Sequence, residues 1–329
     1  MRRYLHSATV FCRKLRRVSE VKYMEYTMYK LKFQTAVHFG RQNLDEGEYT
    51  CYADTIFSAL CQEALKLGEQ VLEKFYHDTK EGKLLFSDAF PYMGSTYFLP
   101  KPIKHIESDR QDGDSTVKKA FKKLKYIPIE LLDTYLEGKF DILNAPDFDA
   151  FGHFEMKTAA SIRGEVETVP YRIGTYYYNA GNGIYLIVGY QEEKSLAFVE
   201  QLLESLSFSG LGGKRTAGFG RFILYKNKIP VELSKRLKGT GAGYMSLSAA
   251  LPTEDELENA LHGAEYLLFR RSGFVSSENY AAEQMRKKDL YVFKSGSCFA
   301  NRFCGDIYDV SDGGRHPVYR YAKPMLMEV

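Results

Sequence analysis

An α+β fold in two units is predicted by three features of this 329-residue sequence. A strictly alternating apolar and polar segment opens it, two helix-period stripes follow far apart, and a glycine-rich loop links the second stripe to a further strand pattern. Helix and strand signals interleave over the first two thirds and then start again on a smaller scale.

The first strand covers residues 29–39, YKLKFQTAVHF. Tyr29, Leu31, Phe33, Val37 and Phe39 face one way and Lys30, Lys32, Gln34 and His38 the other, which predicts a half-buried strand with a basic exposed face, ended by Gly40. Asp54 opens a long amphipathic helix with apolar residues at Phe57, Leu60, Ala64, Leu67, Val71 and Phe75. KLLFS at residues 83–87 supplies a second strand. The aromatic run 176–178 and the apolar run 184–190, separated by NAGNG, predict a hairpin ending in a buried strand. A second helix at residues 195–206 carries Leu196, Val199, Leu203 and Leu206, and residues 219–225 resume a strand. Strand, helix, strand, strand, helix, strand is the ferredoxin-like (RRM-like) order, assigned to residues 24–228.

An insertion at about residues 89–170 is far longer than an ordinary connection of roughly 4–6 residues, so a functional or flexible segment is expected there. It holds the polar stretch ESDRQDGDS and then Lys118, Lys119, Lys122, Lys123 and Lys125, which read either as a grip on a phosphate backbone or as a solvated helix face. After Pro230 the pattern changes, and residues 229–329 are expected to form a smaller α+β unit. Within it Thr253 and Glu256 have capping-box spacing ahead of a short helix.

Composition excludes several classes. With 44% hydrophobic and 26% charged residues and no apolar run near the roughly 20 residues that span a bilayer, no membrane span is expected. Cys12, Cys51, Cys61, Cys298 and Cys304 form an odd set with no C-x-x-C pair, which argues against a disulfide framework and a zinc site and fits a reducing cytoplasm. Residues 1–23 carry +6 of a net charge of +3, leaving −3 on the rest, and lack a secretory h-region. This stretch reads either as a basic RNA-binding arm or as an unstructured extension translated from an upstream start, ahead of Met24 and Met28.

The loop GLGGKRTAGFGRF, residues 210–222, carries the chemistry. Glycines let the main chain approach a ligand and turn successive N–H groups into one concavity, with Lys214, Arg215 and Arg221 adding charge. It is no Walker loop, since Arg215 stands where Ser or Thr is needed after Gly213-Lys214, and no G-x-G-x-x-G precedes a helix. A glycine-rich bend with incidental surface charge is the plain alternative. His38, at the end of the first strand, is the histidine placed to approach this loop, as an RNA contact or as the general acid or base of a metal-independent endoribonuclease. No metal-ligand spacing is found, and no cofactor is expected. A protein-interaction scaffold, with the loop binding a partner chain, is a third reading.

The strand KLKFQTAVHFG, the helix start YADTIFSALCQEAL and the loop GLGGKRTAGFGRF together resemble the RAMP superfamily of CRISPR proteins. Within it the sequence is most similar to the fourth-subunit family of type III-A Csm complexes, from about Met24 onward, with residues 1–23 and the insertion outside the likeness. The resemblance implies two ferredoxin-like domains with an inserted thumb-like segment, in a cytoplasmic ribonucleoprotein of antiviral defence. It implies a non-catalytic subunit that binds the 5′ handle of the guide RNA (crRNA) and joins the large signalling subunit to the backbone subunits. Carried over, Gly210, Gly212, Gly213, Lys214, Arg215, Thr216, Gly218 and Gly220 would contact RNA phosphates with Arg221 beside them, and His38 and Gly40 would border the groove. The thumb would lie around residues 159–171, with Arg163 and Arg172 as RNA contacts.

Overall fold

The computed structural model describes residues 23–40, 43–106, 115–161, 169–277 and 279–329, so the basic stretch 1–22 and Arg163 lie outside the described residues. The first strand, β1 (Glu25–Phe33), starts earlier than its alternation suggested and stops at Phe33. There the chain bends: Gln34 N–H donates to the Arg221 carbonyl, Val37 bridges Tyr176, and β2 (Phe39–Gly40) pairs with β3 (Gly47–Glu48). One strand over 29–39 is thus corrected to two short pieces. Lys32 is exposed as expected, but Lys30 is half-buried, its ammonium 4.0 Å from the Tyr92 ring and donating to the Gly94 carbonyl at 3.0 Å.

The long helix is two, α1 (Ala53–Leu67) and α2 (Glu69–Lys80), because Gly68 sits at φ 131, where side-chain-bearing residues are strained. Phe57, Leu60, Ala64 and Phe75 are buried on the expected stripe, whereas Leu67, beside the break, is exposed. β4 (Leu84–Phe86) is the anticipated second strand.

The insertion is mostly built into the fold. β5 (Phe90–Met93) and β6 (Thr96–Pro100) lead to α3 (Ser115–Lys123), β7 (Tyr126–Pro128) and α4 (Leu132–Leu136). β8 (Gly152–Ser161) and β9 (Val169–Tyr178) then form a separate antiparallel ribbon. The expected pairing of 176–178 with 184–190 is therefore corrected: β9 pairs with β8, while β10 (Asn182–Tyr190) enters the main sheet after the turn. α5 (Glu193–Ser209) buries Leu196, Val199, Leu203 and Leu206, and β11 (Phe222–Asn227) closes this half.

The seven-stranded sheet runs β11-β1-β10-β5-β6-β7, with β4 also paired to β10. Among the strands expected from sequence the spatial order is fourth, first, third, second, each neighbour antiparallel. Residues 184–188 of β10 are fully buried because both faces of the sheet are covered. Tyr29, Leu31 and Leu186 pack with α1, α2 and α5 on one side. Met28, Tyr185 and Ile187 pack with Leu233, Leu237, Met245 and Met327 of the C-terminal half on the other.

That half begins with α6 (Val231–Lys238) and β12 (Tyr244–Ser246). α7 (Glu254–Leu261) starts where Thr253 and Glu256 placed it: the Glu256 carboxylate accepts from Thr253 N–H at 3.1 Å and also from Cys304 and Gly305 N–H. β13 (Leu268–Arg271) pairs with β14 (Leu290–Phe293), and β15 (Cys298–Phe299) follows. The ribbon β16 (Asp306–Asp309) and β17 (Tyr319–Ala322) precedes β18 (Leu326–Glu328). The small sheet runs β18-β12-β15, with Glu265 bridging Cys298 on the outside, so the order is again last, first, third, second. No helix lies between β15 and β18; the β16–β17 ribbon takes that place. Among the described residues no helix is long and apolar enough to cross a membrane, and the four described cysteines are free.

Candidate nucleic-acid interface

α5 ends with the Gly210 N–H donating to the Leu206 carbonyl at 2.7 Å, and the glycine loop follows. Its two limbs are tied together and to the bend after β1. Leu211 N–H donates to Gly220 O at 2.9 Å, Gly213 N–H to His38 O at 2.8 Å, Gly220 N–H to Ala36 O at 2.8 Å, and Arg221 N–H to the Thr35 hydroxyl at 3.1 Å. A Cβ on Gly220, which has φ 80, would stand 2.2 Å from the Leu211 carbonyl oxygen, and one on Gly213 would stand 2.7 Å from the His38 ring. The glycines were expected to bring the backbone to a ligand. At these positions they bring it to the protein's own backbone, and Gly210 and Gly220 are buried. What remains outward is the crown from Lys214 to Phe219, where Lys214 adopts φ 58, Arg215–Ala217 make a single 3₁₀ turn, and Thr216 is exposed. Gly218, at φ 84, ends that turn with open space around it, and Arg221 is exposed beside β11.

His38 differs from its expected place on the exposed face of a strand. It is 6% exposed, with Nδ1–H donating to the Gly174 carbonyl at 2.7 Å and the rest of its ring against Gly40 and Gly213. The bend at Gln34 and Thr35 rotates the chain between Phe33 and Phe39, so the simple alternation fails there.

The β8–β9 ribbon leans on the crown. The Lys214 ammonium lies 4.6 Å from the Tyr171 ring centre, and the Lys157 ammonium 5.0 Å from both Tyr177 and Phe219. Arg172, opposite Thr158 in the ribbon, is exposed. By contrast α3, with exposed Lys119, Lys122 and Lys123, precedes β7 at the opposite edge of the main sheet from β11. The fold therefore gathers His38, Gly40, Arg172 and the glycine loop in one region and leaves the lysine run elsewhere.

A cleft of about 370 Å³ opens between this region and the C-terminal half, lined by His38, Gly213, Arg215, Asp54, Arg271 and Lys287 among others. Asp54, at the start of α1, is its electrostatic centre. Arg271 donates to both its oxygens at 2.8 and 2.9 Å, and Arg320 to one at 3.1 Å. Burial disfavours the Asp54 charge, but Arg271 first and then Arg320 overcome that and hold its carboxyl down at about 2. The α1 N-terminus is capped from elsewhere: Asp88 accepts from Ala53 N–H at 2.8 Å and from Ala249 N–H at 3.2 Å, and burial pushes its carboxyl up to about 6. Asp54 was read from sequence only as a helix start; its partners, 217 and 266 residues away, left no local signal.

The family model of the RAMP superfamily matches residues 30–223, and that of the CRISPR Csm4 C-terminal domain matches residues 240–329. The chain is 40% identical over 293 residues to the CRISPR system Cms protein Csm4 of Mycobacterium tuberculosis (strain H37Rv), covering 88% of this chain and 93% of that one. The chain belongs to the Csm4 family of RAMP proteins. The Streptococcus thermophilus Csm4 is 38% identical, over 93% of this chain and 99% of its own. Among solved structures, the fold is similar to a chain of a Csm3–Csm4 subcomplex from a type III-A CRISPR-Cas interference complex, with TM-score 0.64, 18% identity and 92% and 99% coverage. It is also similar to a chain of a Csm1–Csm4 cassette in complex with cA4, with TM-score 0.59, 17% identity and 93% and 98% coverage. The Csm4-family assignment spans both halves of the chain, and so both walls of the cleft.

Proposed function

We propose that this chain is the non-catalytic subunit of a type III-A CRISPR effector ribonucleoprotein that holds the 5′ handle of the guide RNA and joins the large signalling subunit to the backbone subunits in the cytoplasm. Both halves are then ferredoxin-like units dividing near residue 229, with the β8–β9 ribbon as the thumb-like element. The strand orders of the two sheets support that reading. So does the occurrence of Csm4 chains with Csm3 and with Csm1 in solved structures.

The observation that carries the RNA-binding part is the crown of the glycine loop, locked onto the His38–Gly40 segment, with Lys214 against the Tyr171 ring of the ribbon and Lys157 of the ribbon against the Phe219 ring of the crown. Phosphate contacts from Lys214, Arg215, Thr216, Arg221 and Arg172, with Gly210, Gly212, Gly213, Gly218 and Gly220 shaping the loop, His38 and Gly40 bordering it and Arg163, outside the described residues, as a further contact, suit a single strand held by its backbone with bases free to stack. A metal-independent endoribonuclease with His38 as base has less support, because the ring is buried with Nδ1 occupied by the Gly174 carbonyl. Incubation with repeat RNA in chelator separates the two readings. Binding without multiple-turnover cleavage is expected; turnover that His38→Ala abolishes overturns the non-catalytic role.

A further inference from the structure

Lys287 lines the cleft between the two halves and is fixed there by its backbone. Its N–H donates to the Gly273 carbonyl at 2.9 Å, and that of Lys288 to the Val310 carbonyl at 2.9 Å. The side chain is half-buried, and among the described residues its ammonium has neither an ion-pair nor a hydrogen-bond partner. Arg271 of β13 and Arg320 of β17 face it as cations, and from α1 come the Asp54 carboxylate and the Cys61 thiol, which burial keeps protonated. Asp54 is already committed: Arg271 donates to both of its oxygens and Arg320 to one. Arg215 and Glu48 line the same cleft, and the chain neighbours Arg286, over the Phe274 ring at 5.4 Å, and Lys288 add charge of like sign. The amine therefore lies beside two guanidiniums that share one carboxylate, and no contact rewards its protonation. Burial first, then the Arg320 charge, brings it down from 10.5 to about 8. A lysine desolvated next to another cation is the arrangement that activates an amine as a nucleophile, because the free base persists near neutral pH.

We propose that Lys287 is a nucleophilic amine and the preferred site at which this chain is acylated by acyl phosphates. The Lys287 lone pair attacks the acyl carbonyl and the N–C bond forms. The C–O bond to the phosphate breaks, the phosphate leaves with that electron pair, and the surplus proton of the amine passes to solvent. The cations around Lys287 favour this class of donor, since their field draws an anionic reagent into the cleft. The product is a neutral amide, so one covalent change removes the charge that opposes Arg271 and Arg320 where the two halves meet. The inference does not depend on the RNA-binding reading above.

The test treats the full chain with acetyl phosphate and follows each lysine by peptide mass spectrometry, with the exposed Lys119 and Lys122 of α3 as references in the same molecule. At about pH 7.5 the initial rate at Lys287 is expected to exceed theirs by about tenfold, since an ordinary lysine holds almost no free base there. The Lys287 rate should level off as the pH passes about 8, and its lead should vanish in concentrated urea. Rates at or below those of Lys119 and Lys122 in the folded chain overturn the proposal, and so does a lead that survives unfolding. Phenyl acetate, an uncharged donor, should give a smaller lead; an equal one overturns the assignment to acyl phosphates. Acetylation should also raise the melting temperature of wild type more than that of Lys287→Arg, which offers no amine at this position. Equal rises would overturn the relief of charge at the cleft.

Discussion

In the N-terminal half the last strand of the sheet is reached through α5 and the glycine loop, whereas in the C-terminal half the corresponding strand, β18, is reached through the β16–β17 ribbon with no helix between. The strand orders match, so the difference lies in what each connection presents. The glycine loop turns a basic crown outward over a backbone scaffold that only small residues permit. The ribbon sends Arg320 inward to Asp54 and so ties the second half onto the first. On the proposed reading one connection serves a ligand and the other the fold, and residues of both line the cleft.

That contrast breaks most visibly at Asp54. Asp54→Ala strands Arg271 and Arg320 as buried charges and is expected to cost about 3–5 kcal/mol, read as a lower urea midpoint. A loss below about 1 kcal/mol would mean the guanidiniums are solvated and the inward-facing connection is no lock. On the outward side, Gly213→Val sets a side chain against the His38 ring and should lower RNA affinity by roughly tenfold, about 1.4 kcal/mol, with net charge unchanged. Normal binding by that variant would show that charge alone matters. Lys287 lies between the two cases. Because its folded value, about 8, is below the usual 10.5, the unfolded chain holds a proton that the folded chain has lost between those values. Stability therefore rises with pH across that window, and below it the penalty is complete. Lys287→Met should accordingly be more stable than wild type by about 1–3 kcal/mol at neutral pH without ligand, with the gap closing above pH 8. Equal thermal melts at neutral and alkaline pH would refute this. Lys214→Ala plus Arg215→Ala should flatten the salt slope by about 0.7 for each phosphate these side chains no longer neutralise. The smallest effect is expected from Lys119→Ala plus Lys122→Ala on α3: RNA affinity unchanged, because that helix lies toward the far edge of the sheet. A drop there would place RNA on the insertion instead.

Local patterns carried much of the fold. The α5 stripe, the Thr253 and Glu256 cap and the buried run of β10 were legible because each depends on residues within a turn or two of one another. The α1–α2 break was missed because the apolar spacing continues across Gly68, whose backbone angle leaves no trace in the stripe. β9 was given to the wrong neighbour since aromatic residues at positions 176–178 suit any strand partner, and β8 supplied a longer one. At the candidate site the loop residues were readable as a group, but the role of their glycines was not: a glycine needed for a ligand and one needed for a close internal crossing look alike in sequence. The Asp54, Arg271, Arg320 and Lys287 grouping was invisible, because it exists only once the two halves dock.

The burial of β10 on both faces reaches beyond the site. A sheet covered by helices on one side and by the C-terminal half on the other leaves neither part a finished exterior of its own, so severing the chain near residue 229 should yield two pieces that are sticky apart and soluble when co-expressed. Melting should accordingly be a single event, and any anion gripped where the pieces meet would raise the melting temperature of the entire molecule.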